Sequence, residues 1–189
     1  MAESHSLGGR VRALREPRSM SQAQLAEKAE IAEELVRQIE GGALIPSLSP
    51  LLRIARSLGV RLGTFLDDEE RIGPVVSRGG GHAPVIRFSG REAPVRSDLD
   101  FFSLAANKAG RHMEPFLIEI GPGSAEEARA SSHDGEELIY VLCGEVEVTC
   151  GADLHHLAPG DSLYYDSTVP HHVHSVGGAA RVLAVVFAP

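Results

Sequence analysis

The sequence of 189 residues is long enough for one large domain or two small ones, and its 43% hydrophobic and 23% charged residues are typical of a globular protein. Taken over the whole chain, the formal net charge of −8 argues against a nucleic-acid binder, because such domains are usually basic. Residues 1–66, however, carry nine Lys and Arg against seven Asp and Glu, a net of +2, whereas residues 67–189 carry nine against nineteen, a net of −10. This asymmetry predicts two modules with different partners.

The sequence shows no sign of a membrane or secreted protein. No apolar run approaches the ~18 residues that a membrane-spanning helix needs. The segment Met1–Arg10 lacks the apolar stretch and small-residue cleavage site of a signal peptide. Cys143 and Cys150 are too far apart along one strand, at about 3.3 Å per residue, to form a disulfide. We therefore expect a cytoplasmic protein with two free thiols and no membrane partner.

The first third of the sequence predicts a bundle of five helices. Apolar residues recur at helical spacing from Leu7 until Pro17 ends the first helix. Ser21 is placed to cap the second helix, and Gly59 ends the fourth. The four later helices are expected at about 22–29, at about 32–40, from Ser47 or Ser49 to Leu58, and around Leu62, Phe65 and Leu66.

Residues 67–84 change character, because four consecutive acidic residues precede the run Gly79-Gly80-Gly81. We interpret this segment as a linker between a domain at 1–66 and a domain at 85–189. The second domain is punctuated by Gly and Pro every few residues, which indicates short strands in a sandwich or barrel. The predicted strands are Val85–Phe88, Phe101–Ala105, Phe116–Ile120, Glu137–Leu142, Glu145–Cys150, His155–Leu157, Ser162–Tyr165, His172–Ser175 and Arg181–Phe187. The predicted fold class is therefore multidomain α + β.

The second and third helices have the spacing of a helix-turn-helix motif. If Gln22 starts the motif, the small residue Ala26 lies where the two helices touch. The apolar positions then fall at Leu25, Ala29, Ile31, Val36 and Ile39. The alternative is a generic five-helix bundle with no role in DNA binding, which would share the helical periodicity but not this spacing.

Residues 7–66 resemble the xenobiotic-response-element family of helix-turn-helix domains, which also contains phage repressors. The stretches that carry the resemblance are Leu14-Arg15, Ser21-Gln22-x-x-Leu25-Ala26, Ile39-Glu40-x-Gly42, Pro46-Ser47-Leu48 and Leu52-x-Ile54-Ala55-x-x-Leu58-Gly59-Val60. The resemblance implies that double-stranded operator DNA is a partner. The residues that it places at the DNA are Arg10, Arg12, Ser21, Gln22, Glu33, Glu34, Arg37 and Gln38.

Three glutamates depart from the family pattern. Glu30 stands at the turn between the two motif helices, where glycine is usual and a positive φ is expected. Glu33 and Glu34 open the recognition helix, where they suit the helix dipole but repel phosphate. A glutamate can accept a hydrogen bond from the cytosine amino group, so the pair is compatible with base recognition.

The second domain contains a potential metal site. His133 and Glu137 have the parity of one strand face, and His171 follows the later turn at Val169-Pro170. Two histidines and one carboxylate form a set that suits Fe(II) with open positions, and the same ligands can hold Zn²⁺ or Mn²⁺.

Residues 111–187 resemble the cupin family of small β-barrels. Their first motif fits Ser131-x-His133-x3-Glu137-x6-Gly144, except that Ser131 replaces the usual first histidine. Gly160 and His171 fit the second motif, in which Asp166, Thr168 and Ser175 occupy the usual Pro, Gly and Asn positions. The resemblance implies a jelly-roll barrel. It leaves open whether the barrel holds one divalent ion (zinc, iron, manganese or nickel) or is metal-free and binds an organic ligand.

The domain order resembles a class of bacterial two-domain transcription regulators. The resemblance implies a homodimer whose cupin domain senses a small-molecule effector and modulates operator binding, and it implies no enzymatic activity. The alternative is a mononuclear non-haem iron oxygenase resembling the hydroxypropylphosphonate epoxidase family, although that family has tyrosines where this chain has Asp100-Phe101-Phe102-Ser103-Leu104. A third interpretation is a metal-free cupin that acts only as a dimerising scaffold.

Overall fold

The computed structural model describes residues 6–66, 72–78, 86–88, 99–122 and 130–188. Its first part is helical, at the predicted positions. The α-helices are α1 (Leu7–Arg15), α2 (Gln22–Ala29), α3 (Glu33–Glu40), α4 (Leu48–Ser57) and α5 (Gly63–Leu66), and a 3₁₀ turn at Glu16–Arg18 follows α1. Among the described residues, no helix is long and apolar enough to cross a membrane.

Local side-chain bonds define the ends of the motif helices. Ser21 caps α2 as predicted: its hydroxyl accepts from the Gln24 amide at 3.1 Å, and the Gln24 side chain accepts from the Ser21 amide at 2.7 Å. Glu30 ends α2 with φ +53°, which confirms that this non-glycine residue adopts the left-handed conformation. Ser47 is the N-cap of α4, so Ser49 lies inside the helix, where it is buried.

The helices enclose an apolar core around one buried ion pair. The most deeply buried apolar side chains are those of Val11, Leu25, Val36, Ile39, Leu51, Ile54 and Phe65. Arg15 from α1 donates through Nε and Nη2 to the two carboxylate oxygens of Glu40 from α3, at 2.6 and 2.8 Å. Gln22 from α2 donates to the same carboxylate at 2.8 Å, so one glutamate connects three helices.

The second part is an antiparallel sheet. Its strands are β1 (Ile86–Phe88), β2 (Leu99–Ser103), β3 (Met113–Ile120), β4 (Glu136–Cys150), β5 (Asp153–Leu157), β6 (Ser162–Asp166) and β7 (His171–Phe187). They follow the order β1-β2-β3-β7-β4-β5, and β6 also pairs with β4. Both cysteines are free thiols on β4. Closure of the sheet into a barrel and the domain limits at 66 and 85 stay predictions.

The prediction of nine separate strands was wrong at two places. The predicted strands on either side of Gly144 are one strand, β4, and those on either side of Gly177 and Gly178 are one strand, β7. Gly144 has φ +74°, and the register of β4 against β7 shifts around it. A side chain there would meet the Ala179 carbonyl oxygen at 2.6 Å. Glycine in a strand therefore marks a bulge here, and the strand continues through it.

Candidate functional site

The sheet brings together the three predicted metal ligands. His133 lies just before β4, Glu137 lies near its start, and His171 is the first residue of β7. Because β6 pairs Tyr165 with Glu137, the turn that follows β6 delivers His171 to the same place. An isolated antiparallel β-bridge pairs Ser131 with His171 and so holds the segment before His133 next to His171.

The distances within this triad suit a metal ion. The three potential ligand atoms lie within 4.8 Å of one another, and all three side chains are buried. His133 Nε2 is 2.7 Å from Glu137 Oε1, and His171 Nε2 is 3.5 Å from the same oxygen. Two ligands that each bind a metal at about 2.1 Å are about 3.0 Å apart in octahedral and about 3.4 Å apart in tetrahedral geometry. The residues present therefore fit a divalent ion with little rearrangement.

Backbone carbonyls set the orientation of both imidazole rings. His133 Nδ1 lies 3.1 Å from the Asp134 carbonyl oxygen, and His171 Nδ1 lies 2.9 Å from that of Val169. A carbonyl oxygen only accepts hydrogen bonds, so each Nδ1 carries a proton in this arrangement. Nε2 is therefore the nitrogen of each ring that faces Glu137: it donates to the carboxylate when protonated, and it would offer its lone pair to a metal ion when deprotonated.

Glu137 is held as a carboxylate by its neighbours. Tyr165 donates to its Oε2 at 2.8 Å, and Ser167 donates to its Oε1 at 3.2 Å. Burial opposes ionisation, but the hydrogen bond and charge of His133, the charge of His171 and the Tyr165 hydroxyl together hold the pKa of Glu137 below its ordinary value. Burial and the Glu137 charge in turn raise the pKa of Tyr165, so this hydroxyl remains a donor.

Ser131 occupies the edge of the triad where the family pattern has a histidine. Its hydroxyl lies 3.2 Å from His171 Nε2, and its backbone exchanges two hydrogen bonds with His171 at 2.8 and 2.9 Å. The short side chain leaves one side of the triad without a protein ligand. A water molecule or a polar group of a small molecule would have access to a bound metal there.

Strand parity places His172 and His174 on the face opposite to His171, where the sequence favours neutral, solvated or partner-facing roles over metal binding. His172 and His174 are half-buried, and their rings stack with centroids 5.6 Å apart. His174 Nε2 contacts Glu147 at 3.1 Å. Burial, followed by the neighbouring charges of His174 and His171, lowers the pKa of His172 to about 4. Strand parity predicted the face of the sheet but not how much of it is covered.

A cleft of about 520 Å³ separates the helices from the sheet next to the triad. His133 lines it from the sheet side, and Lys28, Arg53 and Arg56 line it from the helical side. Ser49 and Arg53 of α4 donate to the carbonyl oxygen of Ser132, at 2.8 Å for the serine hydroxyl. The only trace of this contact in the sequence is the spacing of Ser49 and Arg53, four residues apart and so on one side of α4.

The outer surface of α3 carries the predicted recognition residues. Glu33, Glu34 and Arg37 are exposed, and Gln38 is half-buried. Arg37 Nε donates to Glu34 at 2.8 Å, and Gln38 donates to the same carboxylate at 2.9 Å. This bonding lowers the pKa of Glu34, chiefly through Arg37. The exposed face of α3 therefore carries hydrogen-bond donors and acceptors that are bonded to one another, and its net charge is small.

Other predicted DNA-contacting side chains have partners inside the helical domain. Arg10 donates to the Phe65 carbonyl at 2.9 Å, and Arg12 donates to the Glu40 carbonyl at 3.2 Å. Gln22 donates to the Glu40 carboxylate, as described above, and Ser21 is the exposed cap of α2. These bonds lie inside the helical domain and use only part of each guanidinium, so the role of both arginines at DNA stays a prediction.

Each part of the chain is similar to a known family of domains. Residues 11–65 match the helix-turn-helix family model, and residues 116–186 match the cupin domain model. The immunity repressor protein of Bacillus phage phi105 is 36% identical over 67 residues, a match that covers 35% of this chain and only 46% of the phage protein. The HTH-type transcriptional regulator PuuR of Escherichia coli is 23% identical over 179 residues, which cover 94% of this chain and 92% of PuuR.

Solved structures share both parts in the same order. A helix-turn-helix family transcriptional regulator from Vibrio cholerae has a TM-score of 0.69 at 21% identity and covers 99% of this chain, with 97% of its own length matched. The iron(II) form of HppE has a TM-score of 0.52 at 24% identity, with 99% of this chain and 100% of HppE covered. At these identities, both similarities establish the fold alone.

Proposed function

We propose that this chain, a helix-turn-helix protein with a C-terminal cupin domain, is a bacterial DNA-binding transcriptional regulator whose cupin domain senses a small-molecule ligand. The observation that carries the proposal is the whole-chain similarity to a transcriptional regulator, PuuR, over 94% of this chain. The exposed donor and acceptor surface of α3 agrees with it.

The same observations favour a regulator over an iron oxygenase. The similarity to HppE shows the fold alone, whereas both curated relatives described above are named as a repressor or a transcriptional regulator. The inner side of β2 is also apolar at Phe101, which is buried and packs edge-on against Phe116 with ring centroids 5.7 Å apart. An apolar ring at this place supplies no hydrogen-bonding group to a polar substrate.

In the proposed complex, α3 enters the major groove and α2 crosses the backbone. Glu34 accepts from a cytosine amino group, and Arg37 and Gln38 donate to neighbouring base edges or phosphates. Because the helical part has a net charge of only +2, one copy attracts DNA weakly. We therefore propose a homodimer that binds two half-sites, in which the two copies add their contacts.

The sensor site is the His133–Glu137–His171 triad with the open side at Ser131. One divalent ion fits the three ligands, and a bound ion would supply a Lewis-acidic anchor for a carboxylate, hydroxyl or similar group of the effector. The chain itself orients both imidazoles through backbone carbonyls and orients the Glu137 carboxylate through hydrogen bonds from Tyr165 and Ser167. The donor set agrees with zinc, iron, manganese or nickel.

The DNA-binding part is tested by fluorescence anisotropy with DNA from upstream of the protein's own coding sequence. We expect Arg37→Ala to weaken specific binding by about 1–3 kcal/mol, the typical contribution of an arginine at a base edge. Arg61→Ala is the matched control, because Arg61 is an exposed arginine of the same domain away from α3. Equal affinities of the two variants would contradict the assignment of α3 as the recognition helix.

The sensor part is tested by metal analysis of the purified protein and by titration with Zn²⁺ and Co²⁺. We expect one ion per chain and the loss of that ion in His133→Ala. Metal bound equally by His133→Ala and by the wild type would contradict a metal site at the triad. Oxygen consumption with Fe(II) would instead favour the oxygenase.

A further inference from the structure

Side chains of α4 bind both chain neighbours of the candidate metal ligand His133, in the segment just before β4. Ser49 Oγ donates to the Ser132 carbonyl oxygen at 2.8 Å, and Arg53 donates to it through Nε at 3.2 Å and Nη2 at 3.0 Å. Arg53 Nη2 also donates to the Ser132 hydroxyl at 3.1 Å. Arg56 pairs with the Asp134 carboxylate. The two neighbours of His133 are therefore both attached to the helical domain.

Arg53 has a second attachment within the helix-turn-helix motif. Its Nη1 donates to the Glu30 carbonyl oxygen at 3.2 Å. Glu30 is the left-handed residue that ends α2 and starts the turn into α3. Because a guanidinium group is planar and rigid, its donors cannot move independently. One side chain thus ties the turn before the recognition helix to the peptide bond that joins Ser132 to His133.

The segment is also bonded to residues of the sheet side. The His133 amide donates to the Ser167 carbonyl at 2.9 Å, and Ser167 is one of the side chains that hold Glu137. Ser131, two residues before His133, exchanges backbone hydrogen bonds with His171. The backbone on either side of the Ser132 carbonyl is thus bonded to residues of the triad, and the carbonyl oxygen itself is bonded to donors on α4.

We propose that Arg53 is a positioning residue that couples occupancy of the His133–Glu137–His171 triad to the placement of α3. The inference rests on the proposed function, because it needs both a sensor site and a DNA-binding helix. Binding at the triad fixes His133, His133 fixes the Ser132 carbonyl, and the carbonyl fixes the guanidinium that also holds Glu30. By linkage, DNA bound at α3 changes the affinity of the triad by the same factor as binding at the triad changes the affinity for DNA.

The test measures this factor in both directions on the full chain, with zinc alone as the probe. Zinc affinity is measured by chelator competition with and without DNA from upstream of the coding sequence, and DNA affinity is measured by anisotropy with and without zinc. For the wild type we expect a factor of about 5–150, equal in both directions. For Arg53→Lys we expect a factor near one, because lysine keeps the positive charge but lacks the planar guanidinium that binds Ser132 and Glu30 together.

Two further variants separate this role from a general loss of structure. Ser49→Ala removes one donor to the Ser132 carbonyl and keeps Arg53, so we expect an intermediate factor. Arg18→Lys, the same substitution at an exposed arginine whose bond is to the Leu14 carbonyl of its own domain, should keep the wild-type factor. Circular dichroism spectra of all variants should match that of the wild type.

The outcomes distinguish the inference from the proposed function. A wild-type chain that binds neither zinc nor DNA would contradict the proposed function and the coupling with it. A wild-type chain that binds both, with the same factor in Arg53→Lys as in the wild type, would overturn the role of Arg53 alone. A wild-type factor of one would overturn the coupling and leave both binding sites in place.

Discussion

Substitution of Glu40 by glutamine tests the buried ion pair that connects three helices of the DNA-binding domain. The Glu40 side chain is 0% exposed and that of Arg15 is 10% exposed, and the pair is bidentate at 2.6 and 2.8 Å. Glutamine removes the charge and leaves the Arg15 guanidinium with only the exposed Glu16 carboxylate, 3.7 Å away, as a counter-charge. Breaking a buried pair in this way costs about 3–5 kcal/mol of unfolding free energy. We expect the lower end, about 3 kcal/mol, because Arg15 keeps its 2.7 Å bond to the Met20 carbonyl.

The assay is urea unfolding followed by far-ultraviolet circular dichroism, which the helices dominate. Glu34→Gln is the matched control: it breaks another Glu–Arg pair of α3, but one that is exposed, so its effect should be much smaller. Replacement of both partners, as Arg15→Met with Glu40→Leu, should recover much of the loss because no unpaired charge remains. A loss below about 1 kcal/mol in Glu40→Gln would refute the assignment of this pair as a buried structural contact.

The difference in unfolding free energy between the wild type and Glu40→Gln depends on pH in a defined direction. Burial opposes ionisation of Glu40, but the hydrogen bonds from Arg15 and Gln22 and the charges of Arg15 and Arg12 hold its pKa below the ordinary value. A carboxyl group whose pKa is lower in the folded state stabilises the fold above the unfolded-state pKa of about 4.3. That stabilisation is lost as the pH falls through the folded pKa. The difference between the wild type and Glu40→Gln should therefore be full at neutral pH and shrink below about pH 4.

Three further substitutions test the triad and the turn. Tyr165→Phe removes a donor to the metal-ligand carboxylate, so zinc affinity should fall about 10–100-fold, whereas Tyr164→Phe, on the exposed face of the same strand, should leave it unchanged. Ser131→His supplies a fourth ligand, and chelator competition should show tighter zinc binding; weaker binding would mean that the position does not face the metal. Glu30→Gly relieves the left-handed backbone and should raise the unfolding free energy by about 0.5–1 kcal/mol, and an unchanged urea midpoint would show that the turn is not strained.

The helical domain was the part most completely predicted, because local chemistry defines it. The capping box at Ser21 and the positive φ at Glu30 depend on residues within a few positions of each other. In the second domain, strand parity predicted that His133 and Glu137 project to the same side. It did not predict strand lengths, because the bulge at Gly144 depends on its contact with Ala179 on another strand.

The candidate metal site was found from spacing and parity, since His133, Glu137 and His171 carry the ligands of the cupin motif. Tyr165 and Ser167, which hold Glu137, were missed, because nothing in the spacing of hydroxyl residues indicates which carboxylate they will meet. Only the pairing of β6 with β4 places Tyr165 opposite Glu137.

The uneven charge along the chain suggested two modules by itself, and the motifs of each half indicated a helix-turn-helix and a cupin. How the modules touch was decided by the tertiary structure. Arg53 meets Ser132 across a separation of 79 residues, and Arg12 and Gln22 turn inward to Glu40. Hydrogen bonds of polar side chains depend on which acceptors the packed chain leaves within about 3 Å, and a sequence encodes that distance only through the complete fold.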